Sequence, residues 1–234
     1  MDATRKIVTL SFDDGEIYDK QLAALLRKYH LQSTFYLCSG FDGDTGTCGD
    51  GRVYRKMKLA DVQETYDGFE IGSHSYLHRG VLNTAKEEII ENIRKDIDLF
   101  SNYTSRPIQC FAYPGGGVDN AAIETLSQFE SIRYARTIPV PDYSFAPPQS
   151  PYICTPTAHM FDSTMEQIIS EFEAAPNDGI QILHIFGHSY EIVWQQPNGW
   201  QRIESLFQRL AALDATFLCN ADAYDAAFNR FLKM

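Results

Sequence analysis

The chain alternates short apolar runs with amphipathic segments, and this alternation limits the folds open to it. Residues 7–12 form an apolar run typical of a buried strand, and residues 18–29 carry leucines at helical spacing. A second β-rich run follows at residues 33–38, after a short connection. A β-α-β start of this kind favours parallel strands joined by right-handed crossovers.

The same alternation continues to the end of the chain. Further strands are predicted over 69–73, 107–112, 131–137, 180–186 and 215–219, and helices over 58–66, 84–102, 119–129, 163–174 and 200–213. Residues 40–57 lack a hydrophobic period and are predicted to form a long surface loop, while the proline-rich residues 139–157 are predicted to be irregular. About seven β/α units predict an α/β fold, either a barrel or a doubly wound sheet, in one domain over residues 1–234.

The longest predicted helix, over residues 84–102, has a capping motif at its N-terminus. Thr84 and Glu87 fit a capping box, in which each side chain bonds the other residue's backbone N–H. Its predicted core face consists of Ile89, Ile90, Ile93, Ile97 and Phe100.

Composition and charge exclude several classes of partner. The chain of 234 residues is 44% hydrophobic with a net charge of −11, so it is expected to fold as a globular protein without a nucleic-acid or anionic-membrane footprint. No apolar run approaches the roughly 20 residues of a transmembrane helix. The amino terminus shows no signal peptide, which predicts a cytoplasmic protein, or a secreted or periplasmic one if a signal has been removed.

Polar residues with chemical potential stand at the ends of the predicted strands. In both candidate folds the site lies at the carboxyl ends of the parallel strands. Those positions hold Asp13-Asp14, Ser73-His74, Tyr113-Pro114-Gly115, Arg136 and Gly187-His188.

Asp13 and Asp14 place two negative charges side by side. Such a pair is costly unless a cation or a raised pKa offsets the repulsion, although a plain Asp-Gly turn is the simpler interpretation. His74 and His78 stand four residues apart after another strand. With one carboxylate they provide two nitrogens and one oxygen, the ligand set of catalytic zinc sites and of the facial triad of non-haem iron.

These motifs resemble those of the polysaccharide deacetylases of the NodB-homology type, carbohydrate esterase family 4. The family's T-F-D-D-G is matched by residues 9–15 (T-L-S-F-D-D-G), and its H-[ST]-x-x-H by residues 74–78. Its R-x-P-Y-G turn is matched partly by residues 111–117, and its strand ending in histidine by residues 180–188. The resemblance spans residues 6 to 190 and implies a distorted (β/α)7-type barrel.

The resemblance also implies a metal site and a base. Asp14, His74 and His78 would hold one divalent cation, with zinc as the first expectation and cobalt, nickel or iron as alternatives. A metal-bound water would attack an acetyl carbonyl, and Asp13 would be the general base.

The remaining roles fall on later motifs. His188 would be the general acid that protonates the leaving amine, and the Gly115 N–H would stabilise the oxyanion. His184, four residues before His188, is predicted to be a buried, hydrogen-bonded neighbour. Tyr113 and Trp194 are predicted to contact the substrate, although aromatic residues of this kind also simply pack.

Two family features are altered. The third-motif arginine, which orients the catalytic aspartate, falls on Ala112, so another cation must serve Asp13. Arg136, at the next strand end, is a candidate, with a surface arginine as the alternative. The fourth motif is at best echoed by Asp142-Tyr143, which leaves the partner of His188 open.

The sequence therefore predicts a metal-dependent hydrolase that removes N-acetyl groups from a polysaccharide or oligosaccharide. An O-acetyl carbohydrate esterase is an alternative with the same chemistry. A catalytically impaired carbohydrate-binding protein on the same fold is the alternative from another class, and the altered third motif favours it. The expected partner is an acetylated carbohydrate, and the oligomeric state is not predicted.

Overall fold

The computed structural model describes residues 6–47, 51–195 and 197–228. The strands are β1 (Lys6–Asp13), β2 (Ser33–Leu37), β3 (Thr45–Thr47), β4 (Val53–Arg55), β5 (Glu70–Ser73), β6 (Cys110–Ala112), β7 (Tyr134–Arg136), β8 (Ala158–His159), β9 (Gln181–Gly187) and β10 (Thr216–Phe217). The helices are α1 (Asp19–Lys28), α2 (Leu59–Tyr66), α3 (Lys86–Phe100), α4 (Asn120–Leu126), α5 (Met165–Ala174), α6 (Ser189–Trp194), α7 (Gly199–Ala211) and α8 (Asn220–Ala227), with a 3₁₀ turn over Pro114–Gly116. None of the helices in these ranges is long and apolar enough to cross a membrane.

The main sheet is parallel and curves into a distorted barrel. Its strands follow the order β7-β6-β5-β2-β1-β9-β8, and β10 pairs with the start of β1. The segment before β8 bonds β7 at one edge of this sheet and β9 next to the other edge. The Cys154 N–H donates to the Ala135 carbonyl at 2.8 Å, and the Thr157 N–H donates to the His184 carbonyl at 2.7 Å. The predicted (β/α)7-type barrel is confirmed.

The strands are buried because helices cover the outside of the barrel. Seven of the eight residues of β1 are buried, the pattern of a parallel strand with both faces covered. Phe12 lies 5.6 Å from the Phe35 ring in β2 and 6.4 Å from the Phe207 ring in α7. Burial of each such ring contributes about 1.5–3 kcal/mol.

The capping box predicted at Thr84 and Glu87 is wrong. Helix α3 begins at Lys86 with Ala85 as its N-cap, and no side chain among the described residues caps it. The Thr84 hydroxyl instead donates to the Gly80 carbonyl at 2.8 Å. Threonine bonds nearby backbone groups readily, and here the preceding turn offers an acceptor that competes with the helix end.

The predicted surface loop over residues 40–57 contains β3 and β4, which pair in antiparallel fashion. Its return leg is fixed to the chain after β1, where the Met57 N–H donates to the Gly15 carbonyl at 2.7 Å. The Glu16 carboxylate also accepts the Arg55 N–H at 2.7 Å. The loop therefore lies over the carboxyl end of β1, close to the two aspartates.

Candidate active site

The carboxyl ends of four strands bring the predicted catalytic residues together. Asp13 is the last residue of β1, His74 follows β5, Arg136 ends β7 and His188 follows β9. Because these strands run parallel in one barrel, their carboxyl ends share one rim. The contacts described below all involve residues at or near this rim.

Asp14, His74 and His78 converge as a candidate metal site. The Asp14 Oδ1 lies 3.4 Å from the His78 Nε2 and 3.8 Å from the His74 Nε2. One ligand atom from each residue lies within 4.8 Å of the others. Asp14 (φ 80°) and His78 (φ 54°) adopt left-handed backbone conformations, which non-glycine residues keep only where the surroundings impose them.

The hydrogen bonds of His74 leave one nitrogen free for a cation. Its Nδ1 lies 2.8 Å from the Ala112 carbonyl oxygen, so Nδ1 carries the proton and Nε2 keeps its lone pair. Burial lowers the pKa of His74 to about 4, although the neighbouring aspartates oppose this shift, so the ring is neutral at neutral pH. Two imidazole nitrogens and a carboxylate oxygen fit a divalent cation such as zinc.

Arg136 contacts the Asp13 carboxylate directly. Its Nη2 donates to both carboxylate oxygens, and its Nη1 donates to the Thr137 carbonyl at 2.8 Å. Asp13 is 4% exposed and Arg136 1% exposed, so the ion pair is shielded from water. Arg136 is also the register partner of Ala112 across the β6–β7 ladder. The position that carries arginine in the family's third motif is thus directly opposite the arginine of this chain.

Lys56, from the end of the 40–57 loop, supplies a second positive charge that the motifs do not indicate. Its Nζ lies 3.1 Å from the Glu16 Oε1 and 3.8 Å from the Asp14 Oδ1, and donates to the Asp14 carbonyl at 3.1 Å. Burial alone would raise the pKa of Asp14, but Lys56 and the nearby imidazoles together lower it to about 2. Asp14 is therefore charged at neutral pH, as a metal ligand must be.

Glu191 is the partner of His188 that the sequence left open. His188 is the N-cap of α6, and its backbone N–H donates to the Glu191 Oε2 at 3.0 Å. The same oxygen lies 3.1 Å from the His188 Nδ1. Asp142, proposed from the fourth motif, is exposed, and its neighbour Tyr143 donates to Glu171 instead. The assignment of Asp142-Tyr143 to the fourth motif is therefore wrong.

His159, at the end of β8, joins this pair from the other side. Its Nε2 lies 2.8 Å from the Glu191 Oε2. Burial would raise the pKa of Glu191, but its bonds to His159 and His188 lower it to about 2. Burial would lower the pKa of His188, but Glu191 and the two aspartates outweigh it and raise that pKa, which favours the protonated imidazole.

Aromatic side chains extend from His188 toward solvent. The Tyr190 ring stacks on His188 at 4.9 Å, and the Trp194 ring lies 4.3 Å from Tyr190. The Arg52 guanidinium covers the Trp194 ring at 3.7 Å. A sugar that stacks on this face of Trp194, the predicted substrate contact, must displace Arg52.

The turn after β6 carries Tyr113 and Gly115, and only Gly115 borders open space. Tyr113 is 1% exposed, packs 5.4 Å from the Phe111 ring and donates its hydroxyl to the Tyr152 carbonyl at 3.0 Å. Its predicted side-chain contact with substrate is wrong because the ring faces inward. Gly115 has a φ of 70°, and a Cβ there would meet nothing within 4 Å, so its backbone borders open space.

His184 belongs to the core, as predicted. It is 2% exposed, with one ring nitrogen 2.8 Å from the Ser11 hydroxyl and the other 2.7 Å from the Tyr224 hydroxyl. Burial lowers its pKa well below the usual value. Both nitrogens are engaged, so His184 offers neither a ligand nor an acid to the rim.

The family is established by sequence. Residues 1–131, more than half of the chain, match the family model described as polysaccharide deacetylase, and the chain belongs to this family. No curated protein matches it.

Solved structures of carbohydrate esterase family 4 share the fold. The Xyl-CE4 domain of a multidomain xylanase from the hindgut metagenome of Trinervitermes trinervoides is 17% identical, with a TM-score of 0.58 over 94% of this chain and 90% of that chain. A family 4 acetyl xylan esterase from Clostridium thermocellum, in complex with a cobalt ion, is 17% identical, with a TM-score of 0.59 over 93% and 90%. A family 4 pseudoenzyme from Bacillus anthracis is 12% identical, with a TM-score of 0.60 over 96% and 66%. At these identities the likeness establishes the fold.

Proposed function

We propose that this chain is a metal-dependent carbohydrate deacetylase that removes N-acetyl groups from an oligosaccharide or polysaccharide. One observation carries the proposal. The cluster of Asp14, His74 and His78 lies on the same rim as the buried Asp13–Arg136 pair, so a cation site and a candidate base adjoin. His188 extends the site with a candidate acid whose protonated form is favoured.

The chain's own residues divide the proton transfers between them. Asp13, held by both carboxylate oxygens against Arg136, accepts the proton of the attacking water. His188 directs Nδ1 toward Glu191, which leaves Nε2 to protonate the leaving amine. A divalent cation held by Asp14, His74 and His78 would supply Lewis-acid activation of water and of the acetyl carbonyl.

Gly115 completes the proposed site as a backbone donor. Its φ of 70° and the open space beside it suit a residue whose N–H faces a developing oxyanion without a side chain in the way. Removal of one oxyanion donor typically costs about 10²–10³ in turnover. Zinc is the proposed cation because neutral imidazoles and one carboxylate are its preferred ligands in open catalytic sites.

Acetate release from acetylated chito-oligosaccharides tests this function. The zinc-loaded protein should release acetate, and both chelation and His74→Ala should abolish the release. Acetylated xylan, assayed in parallel, separates N-deacetylation from O-deacetylation, because an O-acetyl esterase would act on xylan alone. Acetate release that survives both chelation and His74→Ala would contradict the metal mechanism.

A non-catalytic carbohydrate-binding protein is the second candidate, and one observation favours it. Ala112 stands at the position of the family's third-motif arginine. This function predicts that glycan arrays or calorimetry detect sugar binding while no acetylated substrate yields acetate. Acetate release at a rate that depends on Asp13 excludes it.

A further inference from the structure

A second cluster of potential cation ligands lies beside the proposed acid. It consists of His159, His188 and Glu191, and we name it the His159 cluster. One ligand atom from each of the three lies within 4.8 Å of the others. It shares no residue with the cluster of Asp14, His74 and His78.

The donors of the His159 cluster are those of a zinc site. Two imidazole nitrogens and one carboxylate oxygen are present, and the nitrogens lie 2.8 and 3.1 Å from the oxygen. Zinc bonds of 2.0–2.2 Å place neighbouring ligand atoms about 3.3 Å apart in a tetrahedral site. The two nitrogen–oxygen distances therefore need to widen by only a few tenths of an ångström to accept the ion, and the two nitrogens lie within 4.8 Å of each other.

The buried nitrogen of His188 indicates that the cluster is not satisfied within the described part of the chain. Its Nδ1 is buried and lies 3.1 Å from the Glu191 Oε2, but within the described residues this contact does not have the geometry of a hydrogen bond. Buried polar atoms are rarely left in this state. The His159 and Glu191 side chains are 30% and 24% exposed, so an ion can reach the cluster from solvent.

We propose that the His159 cluster binds a second divalent cation, and that its occupation inhibits the enzyme. The inhibitory half of this inference rests on the proposed function, in which His188 is the general acid. An ion bound to the His188 Nδ1 and the Glu191 carboxylate occupies the two atoms whose contact orients the proposed acid, so His188 no longer presents its Nε2 to the leaving amine. The second ion binds more weakly than the first because it must displace the existing contact between His159 and Glu191.

Binding stoichiometry tests the site without reference to activity. The metal-free chain is titrated with Zn²⁺ by calorimetry, and the bound metal is counted by emission spectrometry after desalting at defined free zinc. We expect two ions per wild-type chain and one per chain in His159→Ala and in His74→Ala. His30→Ala, which removes an exposed histidine after α1, should keep two and controls for surface binding. One ion in the wild type, or two in His159→Ala, overturns the proposal.

A second variant guards against loss of structure. His159→Gln keeps a side chain that can donate to Glu191 but offers zinc a poor ligand, so it should also bind one ion with an unchanged circular dichroism spectrum. Crystals grown with excess Zn²⁺ should show anomalous peaks at both clusters in the wild type and at the first alone in His159→Gln. A single peak in the wild type under saturating zinc overturns the site.

Inhibition is measured as the ratio of acetate release at one equivalent of Zn²⁺ to that at saturating excess. Since a general acid contributes about 10²–10⁴ to the rate, the wild-type ratio should exceed about 10² and should fall to within a few-fold of unity in His159→Ala. Equal inhibition of both proteins refutes the regulatory role. If no substrate yields acetate, the proposed function fails, but the stoichiometry still decides whether the second site exists.

Discussion

Arg136, the candidate named from the sequence, lies beside Asp13 and contacts its carboxylate. It lies directly across the β6–β7 ladder from Ala112, so a positive charge reaches the same carboxylate from the neighbouring strand. Breaking a buried ion pair by removing one partner costs about 3–5 kcal/mol, because an unpaired charge is left behind. The role of Arg136 can therefore be tested by removing its charge and by placing an arginine at position 112 instead.

Arg136→Ala should lower the free energy of unfolding by about 3–5 kcal/mol and slow acetate release by about 10²-fold, since Asp13 loses its orientation. The double variant Ala112→Arg/Arg136→Ala should recover part of both losses. Arg133→Ala, which removes an arginine paired with Asp225, should leave turnover unchanged. Urea unfolding and initial rates measure the two effects, and a single variant as active as wild type removes Arg136 from the site.

His74 predicts how the metal-free protein responds to acid. Burial lowers its folded pKa to about 4 from a usual 6.5, so its contribution to stability is present above pH 6.5 and lost as the pH falls through 4. This difference corresponds to about 3 kcal/mol. His74→Gln cannot titrate, so its free energy of unfolding should fall less between pH 7 and pH 4 than that of the wild type. An equal fall in the free energy of unfolding for both proteins, measured by urea unfolding at the two pH values, would contradict the lowered pKa of His74.

At the scale of elements, helix α3 supports the turn that carries His74, a proposed metal ligand. Asp96 is fully buried, and its Oδ1 accepts the Ser39 N–H at 2.7 Å and the Ser39 hydroxyl at 2.5 Å. Its Oδ2 accepts the Ser73 hydroxyl at 2.6 Å. One carboxylate thus ties the ends of β2 and β5 together immediately before His74.

Asp96→Ala should therefore weaken zinc binding by about 10- to 100-fold, the usual effect of losing a group that orients a metal ligand. Competition with a chromogenic chelator measures the dissociation constant. Asp96→Asn keeps part of the bonding and should have a smaller effect. Asp98→Ala, on the exposed face of the same helix, is the matched control. An unchanged dissociation constant in Asp96→Ala would show that the serines hold the turn unaided.

The hydrophobic pattern predicted most of the barrel, because buried parallel strands and the helices over them carry strong periodicities. It did not predict the short β8 or the six-residue α6, since neither is long enough to show a period. Glu191 was missed for this reason. Lys56 was missed because it lies in an aperiodic loop and reaches Asp14 across a gap of 42 residues. The pairing of Arg136 with Asp13 depends on which strands are neighbours, which periodicity does not specify.

At the scale of the whole molecule, the proposed metal ligands come from two strands that are not adjacent in the sheet. Asp14 follows β1 and both histidines follow β5, with β2 between them. A cation held across that span links the two strand ends directly. Because it binds the folded chain alone, it should stabilise the barrel as well as serve the reaction.

Chelation should lower the melting temperature of the loaded protein. A ligand present at 100 times its dissociation constant adds about 2.7 kcal/mol, and each kcal/mol shifts the melting temperature of a chain of this size by about 2–4 °C. Scanning fluorimetry should therefore show a fall of about 5–10 °C. His74→Ala should show little change on chelation, and an equal fall in that variant would place the stabilising ion elsewhere.

The position of Arg136 on β7, opposite Ala112 on β6, bears on how inactive relatives are recognised. A carboxylate responds to the position of a positive charge and not to the strand that carries it, and here the residue facing Ala112 supplies that charge to Asp13. A chain with alanine in the third motif would be discarded by a search that reads each motif in isolation. When a relative lacks the third-motif arginine, the residue that pairs with that position on the neighbouring strand should therefore be inspected before the relative is classified as inactive.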